Sequence, residues 1–172
     1  IEEALRRQRH ADYFVNLIEH DAGELLKSPT KFHLIRQELA NLRLVLQWCI
    51  AHRQAKGLLY IGEGLYLHFL FQGPLQEGWG LVNSVLQMAK ATPTEELTHT
   101  ELRLLCSLSA IQPLYSYYLG RYEEAGQLAC EAAALAHQLS DVRMLSMAHR
   151  ALAFLAFTQG NLDEQEAYLR KA

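Results

Sequence analysis

Long hydrophobic runs are missing from this chain. No apolar stretch approaches the ~20 residues needed to cross a bilayer as a helix, and no signal peptide is visible. Cysteine is scarce: Cys49, Cys106 and Cys130 stand far apart and form no CxxC pair. That spacing excludes a disulfide framework and reads as thiols buried in helices in a reducing compartment, so a cytoplasmic location is expected. Only four prolines occur, and long β-branched runs are absent, which disfavours strands. No excess of positive charge exists either. Sixteen basic residues face nineteen acidic ones, for a net charge of −3, which leaves no electrostatic footprint for nucleic acid. The densest basic cluster, Arg6, Arg7 and Arg9, reads as a solvated helix face.

What the chain has is leucine, alanine and helical periodicity. Its 172 residues are half hydrophobic and one-fifth charged, enough to bury a core without a staple. Leu5, Tyr13, Leu17 and Ile18 recur at helical spacing and predict a first helix over 2–26. Ser28 then serves as an N-cap with Pro29 in the first turn of a second helix reaching 52. Its stripe is Phe32, Ile35, Leu39, Leu42, Leu46 and Cys49. A third helix over 54–71 is apolar nearly all round and is expected to be sandwiched between neighbours. Gln72-Gly73-Pro74 and Ala91-Thr92-Pro93-Thr94 are breaks, with Thr94 as a further N-cap. Pro113 predicts a kink or an interruption near Gln112. Gly120, Ser140-Asp141 and Gly160-Asn161 divide the remainder into helices over 121–139, 142–159 and 161–172.

Three of these breaks share a pattern. Gly73, Gly120 and Gly160 are each followed by a variable residue, a large apolar residue (Leu75, Tyr122, Leu162) and an acid two positions later (Glu77, Glu124, Glu164). The expected geometry is a helix ending on a left-handed glycine. The next helix starts at once, buries the large residue in the hairpin crotch, and places acids at its positive end. The glycines lie 47 and 40 residues apart.

This pattern resembles the tetratricopeptide repeat (TPR) family, most closely at Gly120, Tyr122, Glu124, Ala125 and Ala132. The resemblance implies an all-α fold: a right-handed superhelical array of TPR-like antiparallel helix pairs, an α-α solenoid. Residues 1–172 would form a single TPR-like domain. It would comprise an N-terminal helical pair at 1–53, repeats at 54–91 and 94–139, and a truncated third at 141–172. Both chain ends fall inside helical patterns, so the segment is expected to be a fragment of a larger protein. A second resemblance rests on Arg9-His10-Ala11-Asp12-Tyr13-Phe14, Glu38-Leu39-Ala40-Asn41-Leu42-Arg43 and Leu46-Gln47-Trp48. This stretch is similar to one found in bacterial STAND-type regulatory ATPases of the LuxR and AfsR/SARP kinds, where it leads into a TPR sensor array. The phosphate loop GxxxxGK[ST] of the ATPase itself is absent.

No chemistry is signalled. Eight histidines form no HExxH and no pair three or four residues apart. No nucleophile signature surrounds Cys106 or Ser107. A non-catalytic module with no cofactor and no metal is therefore expected. The TPR resemblance carries groove positions onto Tyr60, Glu63, Leu67 and Leu70, then Ala110, Leu114 and Tyr117, then Arg150, Phe154 and Phe157. The bland alternative is that these aromatics fill inter-helix layers. The expected partner is a protein or peptide, including upstream ATPase or winged-helix domains of the same chain. A small effector and a homodimer stay open; nucleic acid and membrane are not expected. Rival readings are a static scaffold or self-association module and, remotely, an all-α enzyme or metalloprotein.

Overall fold

A computed structural model describes the backbone of residues 2–21 and 29–172; the side chains of residues 20, 21, 29–32, 63, 67 and 94 lie outside the description. The expected extension of the first helix to 26 and the Ser28 cap fall outside it too. Every regular element among the described residues is helical. The order is α1 (Glu2–Asp21), α2 (Pro29–Gln37), α3 (Leu39–Ala51), α4 (Ala55–Phe71), α5 (Leu75–Lys90), a 3-10 turn (Thr94–Glu96), α6 (His99–Tyr118), α7 (Tyr122–Gln138), α8 (Val142–Thr158) and α9 (Leu162–Lys171). No helix among the described residues is long and apolar enough to cross a membrane.

The chain divides into two compact units. The first holds residues 1–74 and 92–104, and the second holds 75–91 and 105–172.

In the first unit α4 is the centre. Leu58, Ile61, Leu65 and Phe69 are buried along one stripe, and Leu59 and Tyr66 are buried on another. A helix apolar on several faces needs several neighbours, and α1, α2 and α3 all pack on it. Two glycines admit them. A Cβ on Gly57 would run into the Cys49 sulfur of α3 and come within 3.2 Å of Val15 Cγ2 on α1. Ile35 Cδ1 of α2 would lie 3.3 Å from a Cβ on Gly64. The packing of α1 on α4, across two intervening helices, departs from a clean TPR array, in which each helix touches mainly its chain neighbours. The N-terminal motif residues serve this packing. Ala11, Phe14, Leu42 and Leu46 are buried, and Arg43 lies over the Phe69 ring at 5.4 Å.

In the second unit α7, α8 and α9 pack in sequence, α7 on α8 and α8 on α9, which is solenoid-like. Small residues allow it. Ala125, Ala129, Ala132 and Ala136 form a buried stripe on α7, and Met144, Ala148, Ala151 and Leu155 form one on α8. Cys106 and Ala110 of α6 join Ala132, Ala136, Met144 and Ala148 in one core cluster.

Four inter-helix corners share one hydrogen-bond geometry. Gly120 N donates to Tyr117 O (3.0 Å) and Arg121 N to Ser116 O (2.8 Å). The same pair of bonds forms at Arg53, at Ser140 and at Gly160. Each corner residue has positive φ: 51° at Arg53, 77° at Gly120, 54° at Ser140 and 76° at Gly160. This is the Schellman motif, which satisfies carbonyls left over at a helix end. Two expectations change here. Gly73 is not a left-handed corner; its need for glycine comes from Phe69, whose Cδ1 would sit 2.7 Å from an added Cβ. Serine and arginine also take the left-handed position, which glycine counting overlooks.

Two further expectations are corrected. The interruption allowed for at Pro113 does not occur, since helix α6 continues through it as one element. One proline removes a single backbone donor, and the turns around it are held by buried Ile111, Gln112, Tyr115 and Ser116. Helix α6 also starts later than its predicted Thr94 cap. Thr98 N–H and Oγ1 both donate to Glu101 Oε2 (2.8 and 2.6 Å), and Glu101 N–H donates back to Thr98 Oγ1 at 3.3 Å, forming a capping box.

Candidate interaction surface

Starts and stops of α6, α7 and α8 decide which side chains meet at one end of the second unit. The Gly120 corner turns the chain so that α7 begins at Tyr122, directly after α6 ends at Tyr118. Asp141 Oδ1 accepts Met144 N–H at 3.1 Å, capping α8, and α8 then runs to Thr158. The outcome is a ring cluster centred on Tyr117. Its centroid lies 5.3 Å from Tyr118, 5.5 Å from Tyr122 and 5.8 Å from Phe154. Thr158 Oγ1 donates to Phe154 O at 2.9 Å, so Tyr117 Oη donates to Thr158 Oγ1, also at 2.9 Å. That relay fixes the Tyr117 ring between α6 and α8.

The expected groove residues separate by unit. Tyr60 and Leu70, both half-buried, belong to the first unit. The side chains of Glu63 and Leu67 lie outside the described residues. In the second unit Leu114, Tyr117 and Phe154 are half-buried, and Arg150 is exposed. Phe157 is 58% exposed, high for a phenylalanine. The structure thus brings Tyr117 and Phe154 into ring contact. Ala110 is withdrawn from the surface, since it is wholly buried in the α6–α7–α8 core.

Tyr118, Tyr122 and Thr158 were not anticipated here. Tyr122 was expected in the hairpin crotch, yet it is 46% exposed, and Leu162 at the equivalent place in α9 is 63% exposed. Each is the first residue of its helix and stays at the rim. In α7 the small Ala125, three residues on, takes the buried place. A near-neighbour signal existed in the sequence for Tyr118 and Tyr122, because both flank the glycine corner that Tyr117 also touches.

Arg121, at the edge, pairs with Glu124 (3.6 Å) and lies over the Trp79 ring at 5.3 Å. No group of three or more His, Cys, Asp or Glu among the described residues is placed to hold a metal ion. The core thiols are unsuited to nucleophilic work. Burial, with the Asp141 charge adding to it, pushes the Cys106 thiol up to about 11. Burial and the Asp12 charge do the same for Cys49, also to about 11. Cys130, expected to be buried like the others, is exposed on α7. Compared with known proteins, the chain matches no family model, no curated protein and no solved structure.

Proposed function

We propose that this chain is a non-catalytic interaction module whose second unit binds a protein or peptide partner through the aromatic surface around Tyr117. The observation that carries this reading is the exposure of Tyr118 and Tyr122 against a Tyr117 ring held by a hydrogen-bond relay, with Phe157 exposed on α8 three residues after Phe154. Exposed aromatics of this number on a rigid support favour recognition, because they offer large contact area at little conformational cost. The sequential packing of α7, α8 and α9, the alanine stripes and the repeated corners support a TPR-like character for this unit. The N-terminal motifs support a finer reading: the module belongs to a bacterial, cytoplasmic STAND-type regulator and couples partner or effector binding to a nucleotide-binding module. In that case the partner would prefer one arrangement of the helices, and the preference would bias the machine.

A thermal-shift panel of peptides and small metabolites tests the reading. At least one ligand should raise the melting temperature, and Phe154→Ala should abolish that rise. A panel with no stabilising ligand, or stabilisation indifferent to Phe154→Ala, would count against the surface. In the intact regulator, Phe154→Ala should also uncouple nucleotide hydrolysis from the signal.

A further inference from the structure

The left-handed corners of this chain differ in how well their residues suit them. Gly120 and Gly160 take positive φ with no Cβ to strain. Ser140 carries a side chain, but Asp141 beside it caps α8 through Met144 N–H. The Arg53 corner has neither aid. Its φ is 51°, and Gln54, next in the chain, makes no side-chain cap bond to α4. The turn bond from Arg53 N to Ile50 O is 3.3 Å, against 3.0–3.1 Å at Gly120, Ser140 and Gly160.

Nothing in the local sequence demands a turn there. Residues 50–55 read Ile-Ala-His-Arg-Gln-Ala, with no Gly, Pro, Ser, Thr, Asn or Asp. The breaks after α4 and α5, by contrast, hold Pro74 and Pro93. Alanine, arginine and glutamine are good helix formers. The corner is therefore imposed by packing: α1, α2 and α3 all lie on α4, with the Cys49 sulfur close over Gly57. If residues 52–54 turn right-handed, α3 and α4 run on as one helix over 39–71, about 50 Å long. That relieves the strain at Arg53 but strips α3 from α4.

We propose that the Arg53 corner is a hinge through which two copies of this chain exchange α1–α3. In the closed chain a tight corner makes α3 and α4 antiparallel neighbours. Once straightened, two long helices lie antiparallel, with α3 of each copy on α4 of the other. Helices α1 and α2, which touch both α3 and α4, travel with α3. The packing of α1, α2 and α3 on α4 is remade between copies, so the corners are what changes. A short hinge under strain invites such exchange, and a helix-compatible hinge sequence lets it straighten. The hinge lies in the first unit and does not depend on the Tyr117 surface.

Refolding the whole chain from urea at millimolar concentration tests the hinge. It should give a dimer by sedimentation equilibrium. Nuclear Overhauser contacts between residues four apart should run unbroken across 49–57 in the dimer and break at Arg53 in the monomer. Each dimer straightens two corners. Arg53→Gly suits the turn and weakens the helix, so it should raise the dissociation constant about a hundredfold, roughly tenfold for each corner. Arg53→Ile, whose branched side chain tolerates the left-handed region worse, should lower it about tenfold. Ser140→Gly relieves similar strain away from the hinge and should leave the dimer unchanged. Circular dichroism at 222 nm checks that each variant folds. A wild type that stays monomeric, a dimer that keeps the turn at Arg53, or equal effects of Arg53→Gly and Ser140→Gly overturns the inference. A dimer that Phe154→Ala dissolves and Arg53→Gly leaves intact places the contact on the aromatic surface and also overturns it.

Discussion

Replacing Ser140 by glycine should stabilise this protein. Ser140 holds φ at +54° in a corner whose hydrogen bonds match those at Gly120 and Gly160. A side chain in the left-handed region costs about 1–2 kcal/mol. Glycine removes that cost but gains freedom in the unfolded chain, returning about 0.4–1 kcal/mol. The expected net gain is about 0.5–1 kcal/mol, or roughly 1–4 °C in melting temperature for a chain of this size. Gly120→Ala is the mirror experiment. A Cβ there meets nothing within 4 Å, so only the backbone conformation is at stake. It should lose about 1 kcal/mol. Thermal melts followed by circular dichroism at 222 nm read both variants. The two variants should move in opposite directions; if Ser140→Gly lowers the melting temperature, or Gly120→Ala leaves it unmoved, the corners are not where the strain lies.

Gly57→Ala should destabilise by about 1–3 kcal/mol, because its Cβ would meet Cys49 and Val15; part is offset by about 1 kcal/mol of helix propensity. In a Cys49→Ala background that variant should become neutral or stabilising, and a double-mutant cycle by urea unfolding reads the coupling. In native protein at pH 8 a disulfide-exchange reagent should label Cys130 rapidly and leave Cys49 and Cys106 almost untouched, since a thiol near pKa 11 is only ~0.1% thiolate there. All three should react after unfolding. The Thr98 hydroxyl and backbone N–H, donating to Glu101, hold its carboxyl below the usual range. A depressed acid adds stability above its unfolded pKa and loses it as pH falls through the folded value. Glu101→Gln melts should therefore fall less between pH 7 and pH 3 than wild-type melts.

The helices were legible because apolar periodicity and turn residues act locally. The place of α4 was legible too, since Leu58, Leu59, Ile61, Leu65, Tyr66 and Phe69 span more of its circumference than one neighbour can cover. The Arg53 and Ser140 corners were not, because only glycine advertises a left-handed residue in sequence. Gly73 misled for the complementary reason: a glycine needed for close approach to Phe69 looks identical to one needed for φ. The capping box was present as Thr98-x-x-Glu101, but Pro93-Thr94 offered a stronger-looking start. At the candidate surface Tyr117, Phe154 and Phe157 could be placed by helical position, whereas Ala110 could not be assigned to core or surface without knowing how closely α7 and α8 approach. Thr158 entered only through the relay that joins it to Tyr117, 41 residues away in sequence.

A partner on the proposed surface would sit against Tyr117 of α6 and Phe154 of α8. Backbone amide shifts measured by NMR while a peptide that raises the melting temperature is titrated in would locate it. The largest changes should fall over 114–118 and 143–158, with the outer residues of α7 and α9 quiet. Changes concentrated on Glu123, Glu131 and Glu166, with Tyr117 and Phe154 unmoved, would contradict that placement.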